Sequence, residues 1–445
     1  MTIATPAFAD AFWLPFTAQR QFRDRPLIFT AAEGMHYTDD SGRKVLDAMA
    51  GLWCVNAGHG QPRITRAIQQ AAAKLDFVSS FRMSHPAAFE LAERIVRIAP
   101  KGLEHVFFVN SGSEAVDTAL KMARAYHQAR GDARRTKFVG RMKGYHGMGF
   151  GGLSVAGIGR HKRDFGPLLP ETMHLPLPYD ADCRFSRGLP DKGAHYADAL
   201  EQLAQIHDPG TIAAVIVEPV TGSGGVYPPP AGYLQRLREL CTKHGILLVF
   251  DEVITGFGRL GAPFAAQAFG VTPDLLTCAK GMTNGAVPMG GVLASRDVYQ
   301  AFMTGAPEVI ELFHGYTYSA HPLACAAALA TLDVHEELAL PQRAARMAPL
   351  WQEQAHSLRD APNVLDIRNV GLLAAIDLRP REGAPGARAN ECHLACLEAG
   401  VLVRNSGDTL LLSPPLVIGE EEIRHVFDTL GAALRRVASD TGPVH

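Results

Sequence analysis

Paired cysteines, membrane-length apolar runs and an excess of charge of either sign are all missing from this sequence. Its seven cysteines are an odd number, scattered, with no C-x-x-C pair. That argues against a disulfide scaffold and for a reduced, cytoplasmic protein. Cys392 and Cys396 sit one helical turn apart, a spacing read as core packing, so no metal site is expected. No apolar run approaches the ~20 residues that a bilayer requires, and no membrane partner is expected. The N-terminal MTIATPAFADAFW lacks the basic start and long apolar core of a signal peptide. Lys plus Arg number 43 and Asp plus Glu 45, a net charge of −2. A nucleic acid is therefore not an expected partner either. With repeats and low-complexity segments also absent, what remains is a 445-residue chain, 47% hydrophobic, with enough material for two or three domains' worth of core.

The most informative stretch is GILLVFDEVITGFGRLGAPFAAQAFGVTPDLLTCAKG, residues 245–281. Ile246-Leu247-Leu248-Val249-Phe250 stops at Asp251 and Glu252, and Leu275-Leu276-Thr277-Cys278-Ala279 stops at Lys280. Both runs have the length and apolar content of strands buried on both faces. Asp251 and Lys280 are 29 positions apart, enough for one strand–helix–strand crossover. Such a crossover delivers a carboxylate and an amine to the carboxyl edge of a parallel sheet, where α/β proteins bind ligands. Burial lowers a lysine's pKa, and a neutral amine is what a Schiff base with an aldehyde requires. Pyridoxal phosphate needs that lysine together with an acid facing its ring nitrogen. Taken singly, Asp251 reads as a helix cap and Lys280 as a snorkelling surface residue. The pair with its flanking pattern reads as a cofactor site.

One motif in the stretch points elsewhere. Gly256-Phe-Gly258-Arg-Leu-Gly261 matches G-x-G-x-x-G. A dinucleotide fingerprint follows its strand directly and opens a helix. Here Asp251 to Thr255 intervene and Pro263 follows, so a nicotinamide or flavin reading is rejected.

Upstream, the strand His105–Val109 runs into Asn110-Ser111-Gly112-Ser113-Glu114. Ser111 and Glu114 form a capping-box signature before a helical stripe. Strand, small-residue turn and helix N-terminus together make a ready anion site. Lys143-Gly144-Tyr145-His146-Gly147 lies in a loop, where an aromatic ring can stack on a flat ligand. The buried run Ile212–Val217 ends at Glu218.

VFDEVITGFGR followed by CAKGMTNGAVPMGG resembles the signature of class III aminotransferases, which are fold type I pyridoxal-phosphate enzymes. LWCVNAGHGQP, FVNSGSEAVDTALKMAR, KGYHG, VIVEPV and FHGYTYSAHPLACAAALATL resemble further family segments, in family order, over nearly the whole chain. Among subfamilies the likeness is strongest to the ω-amino acid (β-alanine):pyruvate and amine:pyruvate transaminases. The resemblance implies an α/β fold: a large domain with a mostly parallel seven-stranded sheet over residues 56–333, and a smaller α+β domain over 334–445. The N-terminal segment 1–55 is expected to pack with the small domain.

For the site, the resemblance implies Lys280 as the cofactor lysine and Asp251 as the partner of the ring nitrogen. It places the cofactor phosphate at Ser111, Gly112 and Ser113, and Tyr145 on one ring face. Val253, with Ile254 beside it, lies on the other, and His146 and Glu218 lie close by. Thr317 is expected to reach across a dimer interface to the phosphate of a second copy, which implies a homodimer and leaves tetramers open. Leu52 and Trp53 match positions that wall the substrate pocket. Arg404, after Val401-Leu402-Val403, is expected to pair bidentately with the carboxylate of a keto-acid acceptor such as pyruvate. An aminomutase of the same fold family and a transaminase with another donor, such as 4-aminobutyrate, remain as alternatives.

Overall fold

The computed structural model describes residues 11–439. Residues 1–10 of the segment assessed above for a signal peptide lie outside them.

A seven-stranded sheet organises the chain. Its spatial order is Leu103–Val109, Gly290–Ser295, Leu275–Cys278, Leu247–Asp251, Ile212–Val217, Lys137–Arg141 and Thr172–Leu175. Only Gly290–Ser295 runs antiparallel to its neighbours; the remaining pairings are parallel. Central strands explain themselves by composition. Ile212–Val217 is an unbroken run of β-branched residues and Ala with every residue buried, as expected when helices cover both faces. The registers Phe250↔Leu276 and Asp251↔Thr277 bring the ends of the two central strands level. The helix expected between them is only Ala265–Phe269; the rest of that connection is turns. Turns also occupy residues 256–261, with no helix opening directly behind the glycines.

Helix Gly112–Ala129 starts where Leu103–Val109 ends. Ser111 caps it by accepting the Glu114 N–H at 3.1 Å. Glu114 in turn accepts the Asn110 N–H at 2.7 Å. Helix Pro322–Glu337 then runs through position 333, and its two sides enter two cores. Ala324, Ala328 and Leu332 join the core of the large sheet; Ala327, Ala330 and Val334 join the core of the C-terminal region.

Beyond it, Val364–Val370, Leu373–Leu378, Thr409–Leu412 and Arg404–Ser406 form an antiparallel sheet. Leu340–His356, Ala387–Glu398 and Glu420–Arg436 are its helices. The strand expected over 401–404 is divided. Val401–Leu402 pairs parallel with Lys44–Asp47 in a second sheet built from Phe29–Glu33, His36–Asp39 and Lys44–Asp47, whereas Arg404–Ser406 pairs with Thr409–Leu412. A buried arginine ties this region to the large sheet's side: Arg368 bonds Asp377 at 2.7 and 2.8 Å and donates to the Gly225 carbonyl at 2.9 Å.

Candidate active site

Five strands end along one edge of the large sheet, and hydrogen bonds draw the segments that follow them together. After Val109 come Ser111, Gly112 and Ser113; after Arg141 come Tyr145 and His146; Glu218 follows Val217; Asp251 ends its strand; Lys280 follows Cys278.

Asp251 is buried, with both oxygens engaged. Oδ2 lies 2.7 Å from His146 Nδ1, and Oδ1 accepts from Thr277 Oγ1 at 3.1 Å and the Val253 N–H at 3.2 Å. These bonds fix the carboxylate's direction and leave the opposite ring nitrogen, His146 Nε2, buried without a partner. Glu218 accepts the N–H groups of Tyr145 at 2.9 Å and Gly222 at 2.8 Å. Burial raises its pKa, and its two accepted hydrogen bonds tie the Tyr145 loop to the turn at Gly222.

Lys280 sits in the left-handed region at φ 47°, a conformation that costs a side-chain-bearing residue of order 1 kcal/mol and persists where surroundings enforce it. Its amine forms no ion pair among the described residues. Burial lowers its pKa, opposed by Cys54, Asp251 and Glu218. Such an amine spends more of its time neutral and nucleophilic.

Trp53 Cβ and indole are held by a turn with φ of 47° at Ala50, 66° at Gly51 and 58° at Trp53. Asp47 secures that turn: its carboxylate accepts the N–H groups of Met49 at 2.8 Å and Gly51 at 2.6 Å, and lies 2.8 Å from His59 Nε2. The buried indole thereby meets two basic groups, Lys280 Nζ at 5.0 Å and the Arg404 guanidinium at 5.4 Å from its ring centre. Leu52, beside it, is exposed. Arg404 makes no ion pair among the described residues, and burial lowers its pKa.

A pyridine aldehyde phosphate fits these residues. The first N–H groups of helix Gly112–Ala129 have no acceptor within the helix and open on the cleft edge. Gly112 is tight on one side: a Cβ there would come within 2.8 Å of Val253 Cγ1. A Cβ at Gly222 would come within 2.6 Å of Ile254 Cδ1, so Ile254 backs the same loop. Ser113 Oγ accepts the Met148 N–H at 3.3 Å and ties the Tyr145 loop to the helix start. An anion site, a fixed carboxylate and a neutral-leaning amine are the three requirements, and one cleft edge supplies them.

The model of the family "Aminotransferase class-III" matches residues 17–434. The chain is a class-III aminotransferase. An omega-aminotransferase of Caulobacter vibrioides is 55% identical over 96% of this chain and 98% of its own. A beta-alanine–pyruvate aminotransferase of Pseudomonas aeruginosa is 47% identical over 98% and 99%. An amine transaminase from an uncultivated Pseudomonas species, solved with pyridoxal phosphate bound, superposes with a TM-score of 0.90 at 38% identity, covering 96% of this chain and 98% of that one. The mostly parallel seven-stranded sheet with its additional sheets is the fold type I arrangement.

Within this aminotransferase the cleft gathers Lys280, Asp251, His146, Glu218, Tyr145, Trp53 and Arg404. Thr317 is exposed on the segment before helix Pro322–Glu337 and makes no side-chain hydrogen bond among the described residues. Thr277, Arg141 and Asp47 were missed from sequence. Arg141 is buried and donates to the Glu218 carbonyl and, at 2.8 Å, to Thr221 Oγ1, clamping the Glu218 turn. Thr277 carried a signal, being the single polar residue in Leu275–Cys278; Asp47 carried none.

Proposed function

We propose that this chain binds pyridoxal 5′-phosphate at Lys280 and transfers an amino group from an ω-amino acid of the β-alanine type, or a primary amine, to pyruvate, giving alanine and an aldehyde or ketone. The observation that carries this reading is the Lys280 amine just beyond the strand that pairs with Asp251, against an indole that also meets Arg404. The names of the Caulobacter and Pseudomonas relatives support the donor class, and so does the beta-alanine–pyruvate relative for the acceptor.

When bound, the cofactor supplies an aldehyde that takes up amines and a cationic ring that withdraws electrons from the amine-bearing carbon. Asp251 holds the proton on the ring nitrogen, with His146 and Thr277 keeping the carboxylate aimed. The N–H groups of Gly112 and Ser113, beside Ser111, take the phosphate. Tyr145 and Val253, with Ile254 behind, wall the two ring faces. Lys280 Nζ would hold the cofactor's aldehyde carbon and, when free, would carry the proton between the donor's amine-bearing carbon and the cofactor, as base and acid in turn. Arg404 receives the keto acid's carboxylate, and Leu52 and Trp53 line the donor's apolar path. Donor and acceptor use the cleft in turn, so ping-pong kinetics follow.

The working unit is a homodimer in which Thr317 completes the phosphate site of a second copy, with tetramers left open. Support comes from exposed apolar residues beside it, Phe313 at 89%, Tyr318 at 58% and Phe81 at 55%, the kind of surface a partner covers. All seven cysteines are free, which supports a cytoplasmic protein. No helix among the described residues is long and apolar enough to cross a membrane.

The test is a panel of amine donors with and without pyruvate, scored by alanine formed. Alanine is expected only when both are present. Turnover of an amino-bearing substrate with no keto acid supplied would mean an isomerase instead.

A further inference from the structure

Two left-handed turns meet beside the Lys280 amine. Lys280 opens the 3-10 turn Lys280–Thr283 at φ 47°, and Trp53 closes the turn secured by Asp47 at φ 58°. The amine lies 5.0 Å from the centre of the indole. Strained turns of this kind keep their shape only where their surroundings enforce it.

Asn284 joins the two. It ends the Lys280 turn, again in the left-handed region at φ 54°, where asparagine settles more readily than most side chains. Its amide crosses to the chain just past Trp53. Oδ1 accepts the Ala57 N–H at 2.7 Å, and Nδ2 donates to the Gly58 carbonyl at 2.8 Å. An N–H only donates and a carbonyl only accepts, so a single orientation of the amide serves both. Ala57 and Gly58 are buried, where a backbone group without a partner is costly. The packing around the bridge leaves no slack. A Cβ at Gly281 would come within 2.5 Å of Asn56 Nδ2, and one at Gly285 within 3.0 Å of Cys54 Cβ. Asn56 in turn donates to the Phe257 carbonyl at 2.9 Å and accepts from Arg259 at 2.6 Å.

We propose that Asn284 is a positioning residue: by tying the stretch behind Trp53 to the turn that carries Lys280, it fixes the gap between indole and amine and so sets how broad a donor the cleft admits. The proposal deepens the transamination reading and rests on it. A narrow donor such as β-alanine needs the indole close against it to present its amine-bearing carbon to Lys280. Misplacing a reacting group by an ångström costs about 10²-fold in rate. A broad donor fills a widened gap and loses less.

The test compares the parent holoenzyme with Asn284→Gly and Asn284→Asp, using β-alanine and benzylamine at saturating pyruvate. Glycine accepts the left-handed backbone and removes only the amide. Aspartate is the milder change, keeping an acceptor for the Ala57 N–H and losing the donor to Gly58, and it carries the same comparison if Asn284→Gly does not fold. Asn284→Gly is expected to lower kcat/KM by about 10- to 100-fold for β-alanine and by less than about 3-fold for benzylamine. Asn284→Asp should fall between it and the parent. Unchanged kinetics, or an equal loss for both donors, would overturn the proposal. Hydrogen exchange of the cofactor-free protein, followed by mass spectrometry, gives a readout without turnover. In Asn284→Gly, peptides over 54–58 and 280–285 should exchange about 10-fold faster or more, while Ile212–Val217 keeps its protection. Unaltered exchange in both peptides would remove the bridge, and lost protection at Ile212–Val217 would reduce Asn284 to a prop for the whole fold. A parent that makes alanine while its variants lose both donors alike sinks this proposal alone. A parent that forms no alanine from any donor removes the transamination reading and this one together.

Discussion

The strands that end at Glu218, Asp251 and Lys280 are buried on both faces, whereas Arg404 rides a three-residue strand, half-buried along its length, at the rim of a four-stranded antiparallel sheet. The floor of the cleft is held by parallel registers and by the hydrogen bonds that fix the Asp251 and Glu218 carboxylates. Arg404 is held by one hairpin and by the indole of Trp53, itself fixed by a strained turn. The contrast separates two tasks. Groups that move protons need fixed direction and a dry setting; groups that recognise a carboxylate need reach, and tolerate adjustment.

That division can be broken in three places. The largest effect is expected at the floor. Lys280→Ala should lower turnover by about 10⁴-fold or more, because neither the tether nor the proton carrier survives. The yellow colour that the cofactor gives the parent should vanish with it, as read by absorbance; retained turnover would move the catalytic amine elsewhere. At the mouth the effect should be smaller and selective. Arg404→Ala should raise KM for pyruvate by roughly 10- to 100-fold, the worth of two charge-assisted hydrogen bonds. KM for an uncharged amine should change little, and steady-state kinetics with both substrates varied will tell. Equal effects on both would place Arg404 outside recognition.

The smallest effect concerns the seam. His335 lies on helix Pro322–Glu337, whose two sides enter both cores. Burial pushes its imidazole down to about 4 from 6.5. Between those values the unfolded chain takes up a proton that the folded chain refuses, so stability is full above pH 6.5 and falls as pH drops toward 4. The limit of that loss is roughly 3 kcal/mol, felt in stability and not in turnover. His335→Leu should flatten that acid limb in thermal melts at pH 7 and 4.5. An unchanged slope would assign the acid sensitivity to other groups.

How far the sequence was legible follows the same division. Ile212–Val217, Leu247–Asp251 and Leu275–Cys278 announce themselves as apolar runs, and the acid or amine that stops each run marks the cleft edge. Ser111 and Glu114 announce their helix start in the same way, through local chemistry. The mouth hides because its parts are short and aperiodic. Nothing in Ala50-Gly51-Leu52-Trp53 signals three left-handed residues enforced by Asp47. Arg368 reads as a surface charge until Asp377 and Gly225, distant in sequence, close around it. Val401–Arg404 reads as one strand because pattern alone does not say which partner each half will choose.

The division of residues 401–406 between two sheets bears on how the protein is made. Leu46 finds its strand partner at Val401, so the chain's opening segment must leave the ribosome long before the hydrogen-bonding groups it needs exist. Loop-closure entropy makes such distant pairings slow. A nascent chain stalled before residue 401 would therefore carry a three-stranded ribbon with the Lys44–Asp47 edge unpaired.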